Sequence, residues 1–230
     1  MKLILITTIL FPFLLHAETY LFSGGKNNLV MIIASKVLEK AYERAGLEMT
    51  PLFIPLEESL QRSNSGQTDG ELARIEKITK LYPNLRQVPV EIAAVEAVAF
   101  SKNSSLSIKE WSDLAGHELT IVKGTKFIEK ATENIPRRFV SSFTEAVQAL
   151  ESNTTEIIVI PKLAGLNLNL EAENKNLKVV SGTLKKLPLY HFVHKKNVHL
   201  IPIITPVLQK MKESGEIDYI RKAYLRSITS

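Results

Sequence analysis

The run VPVEIAAVEAVAFSK, Val88 to Lys102, is extended, β-branched and apolar, and it carries no helical punctuation. It is too long for one ordinary strand, and strands in globular domains rarely exceed ten residues. A second extended run, LPLYHFVHKK from Leu187 to Lys196, lies almost ninety residues further on, in keeping with a chain that leaves one body and later returns to it. The chain on either side reads as alternating strands and helices. ETYLFSGG from Glu18 is a strand ending in two glycines. From Asn28 to Ala45, Leu29, Ile32, Ile33, Val37, Leu38, Ala41 and Tyr42 recur at helical spacing up to the stop at Gly46. A strand at Glu48 to Ile54, a helix at Glu57 to Asn64 and a short strand in SGQTDGELAR complete the first half. Strand, helix, strand, helix, strand is the order of a mainly parallel sheet covered by helices.

The second half repeats this order. It has a helix at Ser107 to Leu114, a strand at His117 to Val122, a turn at Lys123-Gly124-Thr125 and a helix at Lys126 to Glu133. A strand at Arg138 to Ser141, a helix at Phe143 to Ser152 and a strand at Glu156 to Ile160 follow. Next come a short helix near Lys162 to Leu168 and a strand at Leu177 to Ser181. After the second extended run, helices at His199 to Ser214 and Glu216 to Arg226 close the chain. The expected fold class is α/β in two lobes, each a mainly parallel sheet flanked by helices, joined by two extended crossovers. Residues 18–99 and 189–230 are assigned to the first lobe and residues 100–188 to the second, with the hinge near Phe100 and Pro188.

The N-terminal MKLILITTILFPFLLHA has one early lysine, an apolar run from Leu3 to Leu15 and a small residue at Ala17, which is the layout of a secretory signal. The apolar run is shorter than the roughly 20 residues that span a bilayer. Cleavage after Ala17 and a periplasmic location are expected, against an uncleaved anchor as the competing reading. No cysteine occurs, so neither a disulfide nor a lipid on a mature N-terminal cysteine is available. The formal charge of +5 falls to +4 without Lys2, and the basic residues form no stripe. Nucleic acid is therefore not an expected partner. The histidines 191, 194 and 199 fit no ligand spacing, and HExxH, GxSxG, P-loop and GxGxxG motifs are absent, so no metal, cofactor or catalytic set is assigned.

Arg74 follows the turn and short strand of SGQTDGELAR. A guanidinium at a strand end can pair a carboxylate in two-pronged fashion, so Arg74 is the first candidate for ligand contact. The competing reading is an internal pair with Glu71, Glu76 or Asp69. Gly124 and Thr125 stand where a strand gives way to a helix and could offer N–H groups to an anion, or Thr125 could simply cap the helix. Ser23 and Gly24 allow close approach to backbone, or only serve a turn. Glu57 could receive a cationic group, although helix starts favour acids in any case. Tyr190, beside His191, lies on the returning run where alternate residues could point to a cleft. Trp111 reads as packing in the second lobe.

Several stretches resemble the extracellular solute-binding proteins of family 3, which serve amino-acid ABC transporters and have the type II periplasmic-binding fold. They are SGQTDGELAR, WSDLAGHELTIVKGT, FTEAVQALESNTTEIIVIP, LPLYHFVHKK and LIPIITPVLQKMKESGEIDYI, and the likeness spans residues 18 to 230. It implies a monomer that is not an enzyme, closes on a small polar, carboxylate-bearing ligand and presents it to an ABC permease or a membrane sensor. The acid with which such proteins hold an amino group is replaced by Pro161-Lys162, and their Thr-x-x-Arg helix start is missing, which points away from an α-amino acid. A dehydratase on the same scaffold and a ligand-free module for a membrane sensor are the alternatives.

Overall fold

The computed structural model describes residues 19–26, 28–171 and 177–229; the expected signal segment lies outside them. β1 (Thr19–Gly25) leads into α1 (Leu29–Arg44), whose first turn is capped by Asn28 accepting the Val30 N–H at 2.9 Å. α1 buries Leu29, Val30, Ile33, Val37, Leu38, Ala41 and Tyr42, at the three- and four-residue spacing of one helix face. β2 (Glu48–Ile54), α2 (Leu56–Ser65) and β3 (Gly70–Arg74) follow, and both β2 and β3 run parallel to β1. After a 3₁₀ turn at Glu76–Lys80, the first long run forms a single strand, β4 (Leu85–Ser101).

The second half contains β5 (Leu119–Val122), α3 (Lys126–Ala131), β6 (Arg137–Val140), α4 (Phe143–Glu151), β7 (Ile157–Pro161) and α5 (Lys162–Glu171). β8 (Lys178–Val179) precedes β9 (Lys185–His194), and α6 (Leu200–Glu213) and α7 (Glu216–Thr229) finish the chain. The strand order is β2-β1-β3-β9-β4-β7-β5-β6, with β8 paired to β4 outside that path. β5 is parallel to both β6 and β7. β9 runs antiparallel to β4 from Leu85↔His194 to Ala97↔Lys185, with two register shifts between Gln87 and Ala93.

The buried residues separate into distinct cores along these two strands. Val88, Val90 and Ile92 of β4, with Leu189 and Val193 of β9, pack with β1, α1 and α6. Ala97 and Ala99 pack with Leu119, Ile121 and Val159, while Val98 and Phe100 pack with α4 and the opposite face of β7. The strand pair therefore carries backbone pairing, interrupted by its two register shifts, from one lobe into the other.

Two expected elements are shorter than the sequence suggests. Only Trp111–Leu114 of the helix expected at Ser107–Leu114 is helical, as a 3₁₀ turn. Ile108 bridges to Ser181, its N–H bonds the Val180 carbonyl at 2.8 Å, and Asp113 takes the N–H groups of Lys109 and Glu110. The backbone needed for a first helical turn is thus occupied elsewhere. The strand expected at Leu177–Ser181 reduces to β8, because the Ser181 hydroxyl, not its backbone, accepts the Ala99 N–H at 2.8 Å.

Candidate functional site

In open parallel sheets, ligands bind outside the carboxyl ends of the strands. Here those ends are Ser23–Gly25 and Arg74 in the first lobe, and Val122–Thr125 and Pro161 in the second. Gly24 packs so closely on its neighbour strand that an added Cβ would lie 2.8 Å from Leu72 Cδ1. At Gly25, an added Cβ would meet the side chain of Leu56, which begins α2 and is 54% exposed. Ile75, just past β3, is also exposed, so the rim of the first lobe is partly apolar.

Arg74 is buried and ion-paired with Glu71 three residues before it, Nη2 to Oε2 at 2.6 Å. The approach is a charge contact and not an aligned hydrogen bond, since Oε2 has no hydrogen-bond partner. Nη1 donates to the Ala73 carbonyl at 3.2 Å, and Nε has no partner. Glu71 has no exposed surface, and its Oε1 accepts from Ser59 at 2.5 Å, Ser63 at 2.9 Å and Ser23 at 3.4 Å. Burial pushes the Glu71 carboxyl upward, while Arg74 and the three hydroxyls pull it back. Burial also lowers Arg74, against the pull of Glu71. Of the three acids that sequence leaves open as partners, the pair is made with Glu71.

Ser23 is wholly buried among Ser59, Thr68 and Glu71. Glu57 is exposed and accepts the Tyr82 hydroxyl at 3.2 Å; Tyr82 in turn feels the charges of both Arg74 and Glu71. Tyr190 is half-buried and stands opposite Arg74 across β3 and β9. Ser23, Gly24, Glu57, Arg74 and Tyr190 thus gather along one edge of the first lobe. Gly124 and Thr125 lie in the other lobe, and among the described residues no hydrogen bond or ion pair links them to Arg74. The Gly124 N–H donates to Glu129 Oε1 at 2.5 Å, and the Thr125 hydroxyl donates back to the Val122 carbonyl at 2.5 Å instead of capping α3. Trp111 donates Nε1–H to the Leu184 carbonyl and packs on the core of the second lobe.

Sequence reasoning passes over the serine cage of Glu71. Its signal is the i, i+4 pair Ser59 and Ser63, which puts two hydroxyls on one face of α2. His191, beside Tyr190 on the returning run, is fully buried: Nδ1 donates to the Glu71 carbonyl at 2.8 Å, leaving Nε2 to accept the Tyr42 hydroxyl at 3.0 Å. Burial pulls its pKa down to about 4. Among the described residues no group of three His, Cys, Asp or Glu side chains is placed to hold a metal ion, and no helix is long and apolar enough to cross a membrane.

A histidine kinase sensor domain with similarity to periplasmic binding proteins superposes with a TM-score of 0.68 at 15% identity, over 91% of this chain and 96% of that one. Substrate binding domain 2 of GlnP from Lactococcus lactis, in an open conformation, gives 0.68 at 16% identity over 91% and 96%. The two-lobed type II periplasmic-binding fold is therefore established. The GluR0 ligand binding core in complex with L-glutamate shows the same type II fold, with a TM-score of 0.69 at 16% identity over 91% and 98%. No family model matches the chain, and no curated protein matches it.

Proposed function

We propose that this chain is an exported solute-binding protein whose lobes close on a small polar, carboxylate-bearing ligand and present it to a membrane transporter or sensor. The observation that carries this reading is the strand pair β4 and β9, which among the described residues takes backbone pairing from one set of cores to the other. Such a pair can bend while each lobe keeps its shape, which is the mechanical requirement for closure. The division into two lobes, expected from sequence as residues 18–99 and 189–230 against 100–188, belongs to the same proposal, with its first boundary moved back along β4. The packing of Ala97 to Ala99 in the second lobe supports a first crossing between Ile92 and Ala97.

Ligand contact is proposed for Ser23, Gly24, Glu57, Arg74 and Tyr190 from one side and Gly124 and Thr125 from the other. Because Glu71 neutralises Arg74, the open charge on the first edge is Glu57, which suits a cationic or hydrogen-donating end of the ligand. Its carboxylate would displace Glu129 from the Gly124 N–H. A charge-assisted bond contributes about 1.5 to 3 kcal/mol, and micromolar affinity needs about 8 kcal/mol. Contacts from both lobes are therefore required, and closure supplies them together. The solved neighbours that name a ligand or substrate support solute binding, and the kinase sensor domain among them supports a sensor as the receiving partner.

The test is mass spectrometry of small molecules released on denaturing the purified protein, followed by thermal-shift measurement with each acid found. A released carboxylate that raises Tm, with the rise lost in Glu57→Gln and Thr125→Ala, is the expected result. The reading fails if nothing is released and a broad panel of carboxylates leaves Tm unmoved.

A further inference from the structure

The bend in the crossover has a defined place. Between Gln87↔Phe192 and Ala93↔Leu189, five residues of β4 (88–92) stand against two of β9, Tyr190 and His191. Surplus residues of this kind bend a strand and increase its twist. One of them, Pro89, has no N–H to offer the ladder. The change of core follows at once, since Ile92 packs in the first lobe and Ala97 in the second.

Glu91 stands inside this bulge at the centre of an ion cluster. Its Oε1 meets Lys186 Nζ at 2.8 Å, and its Oε2 lies 3.6 Å from Lys212 Nζ. Lys186 pairs with Glu96 in the ladder, yet its ammonium reaches Glu91, five residues earlier on β4. The contact therefore spans the stretch from Ile92 to Ala97 in which one core gives way to the other. Lys212 belongs to α6, whose Leu208 and Met211 pack in the core of the first lobe. Asp218 and Arg221 of α7, which line the same small cavity as Glu91, pair with each other at 2.9 Å. A charge contact that crosses a bend on one face prefers one angle, because opening that face draws Glu91 and Lys186 apart.

We propose that Glu91, Lys186 and Lys212 form an ionic clip across the hinge, which favours the lobe arrangement of this structure and so regulates closure without contributing to the ligand site at the strand ends. The proposal rests on the reading of the two lobes as a closing pair. The lysine side chains are 51% and 48% exposed, so the clip is weak and screened by salt. It biases the hinge and does not lock it.

Pulsed dipolar spectroscopy on the purified protein tests this. The chain has no cysteine of its own, so spin labels can be placed at Glu39→Cys on α1 and Ser104→Cys in the second lobe, both exposed positions. Raising sodium chloride from about 0.05 M to about 1 M is expected to change the ratio of the populated inter-lobe distances by about twofold to fivefold, the range for an exposed ion pair. Glu91→Gln and Lys186→Gln are each expected to produce the same shift at low salt, and the double variant no more than either, as for two members of one contact. Arg62→Gln, which breaks the exposed Glu58–Arg62 pair on α2, is expected to leave the distances as in the wild type. Wild-type distances in both single variants, a salt response undiminished in Glu91→Gln, or an equal shift in Arg62→Gln overturns the proposal. Any of these failures leaves the ligand site standing, because that site is judged by released carboxylate and Tm and includes none of the three clip residues.

Discussion

Glu71 sits in a five-residue strand whose every member is buried, and a carboxylate there is tolerated only because hydroxyls and a guanidinium surround it. Removing one member of such a pair leaves the other charge buried alone, at a cost of about 3 to 5 kcal/mol. Arg74→Ala is therefore expected to lower the stability of the ligand-free protein by about 3 kcal/mol in urea denaturation. A loss below about 1 kcal/mol would mean that the guanidinium is not committed to Glu71. His191 makes a pH-dependent contribution. Its folded pKa of about 4 lies below the unfolded value of 6.5, so the unfolded chain takes up the proton first as pH falls. Its stabilisation is complete above about pH 6.5, declines between pH 6.5 and 4, and is absent below. At about 1.4 kcal/mol per pH unit this amounts to about 3 kcal/mol. Denaturation midpoints measured across that window are expected to fall more steeply in the wild type than in His191→Gln. An arginine at a strand end is visible in a sequence; its partner is chosen by the burial and register of β3, which are not.

Among the elements, β3 depends most on one position. Gly70 has a φ of +153°, and an added Cβ would lie 2.1 Å from the Phe192 carbonyl oxygen on β9. Gly70→Ala is expected to force β3 and β9 apart and to lower the Tm by well over 5 °C. Gly46→Ala, at a φ of +72° with nothing near an added Cβ, meets only backbone strain of about 1 kcal/mol. If the two variants melt alike, the β3–β9 contact is not limiting. The helices with strong apolar periodicity, α1, α4, α6 and α7, lie within a few residues of where spacing and end signals put them. The first half of the helix expected at Ser107–Leu114 is absent because Ile108 is drawn into a bridge with Ser181, seventy-three residues away. Long-range pairing of this kind overrides local preference and leaves no local mark.

For the whole molecule, the arrangement of the lobes is held partly by Leu163, which stands on α5 of the second lobe yet packs against the core of the first. Leu163→Asp is expected to leave both sets of cores folded while loosening that contact. Small-angle scattering should then show a larger radius of gyration for the ligand-free variant than for the wild type, with unchanged helical circular dichroism. Equal radii would show that the lobes are held by β4 and β9 alone. The alternation of strands and helices, the two long crossing runs and the two-lobed class were all determined by the chain's local patterns, because periodicity and turn chemistry act over a few residues. Only the tertiary structure decided that Arg74 spends its charge on Glu71, that His191 is buried against Tyr42, and that lysines of β9 and α6 meet at Glu91. Those outcomes depend on which distant surfaces exclude water together, and no stretch of ten residues carries that information.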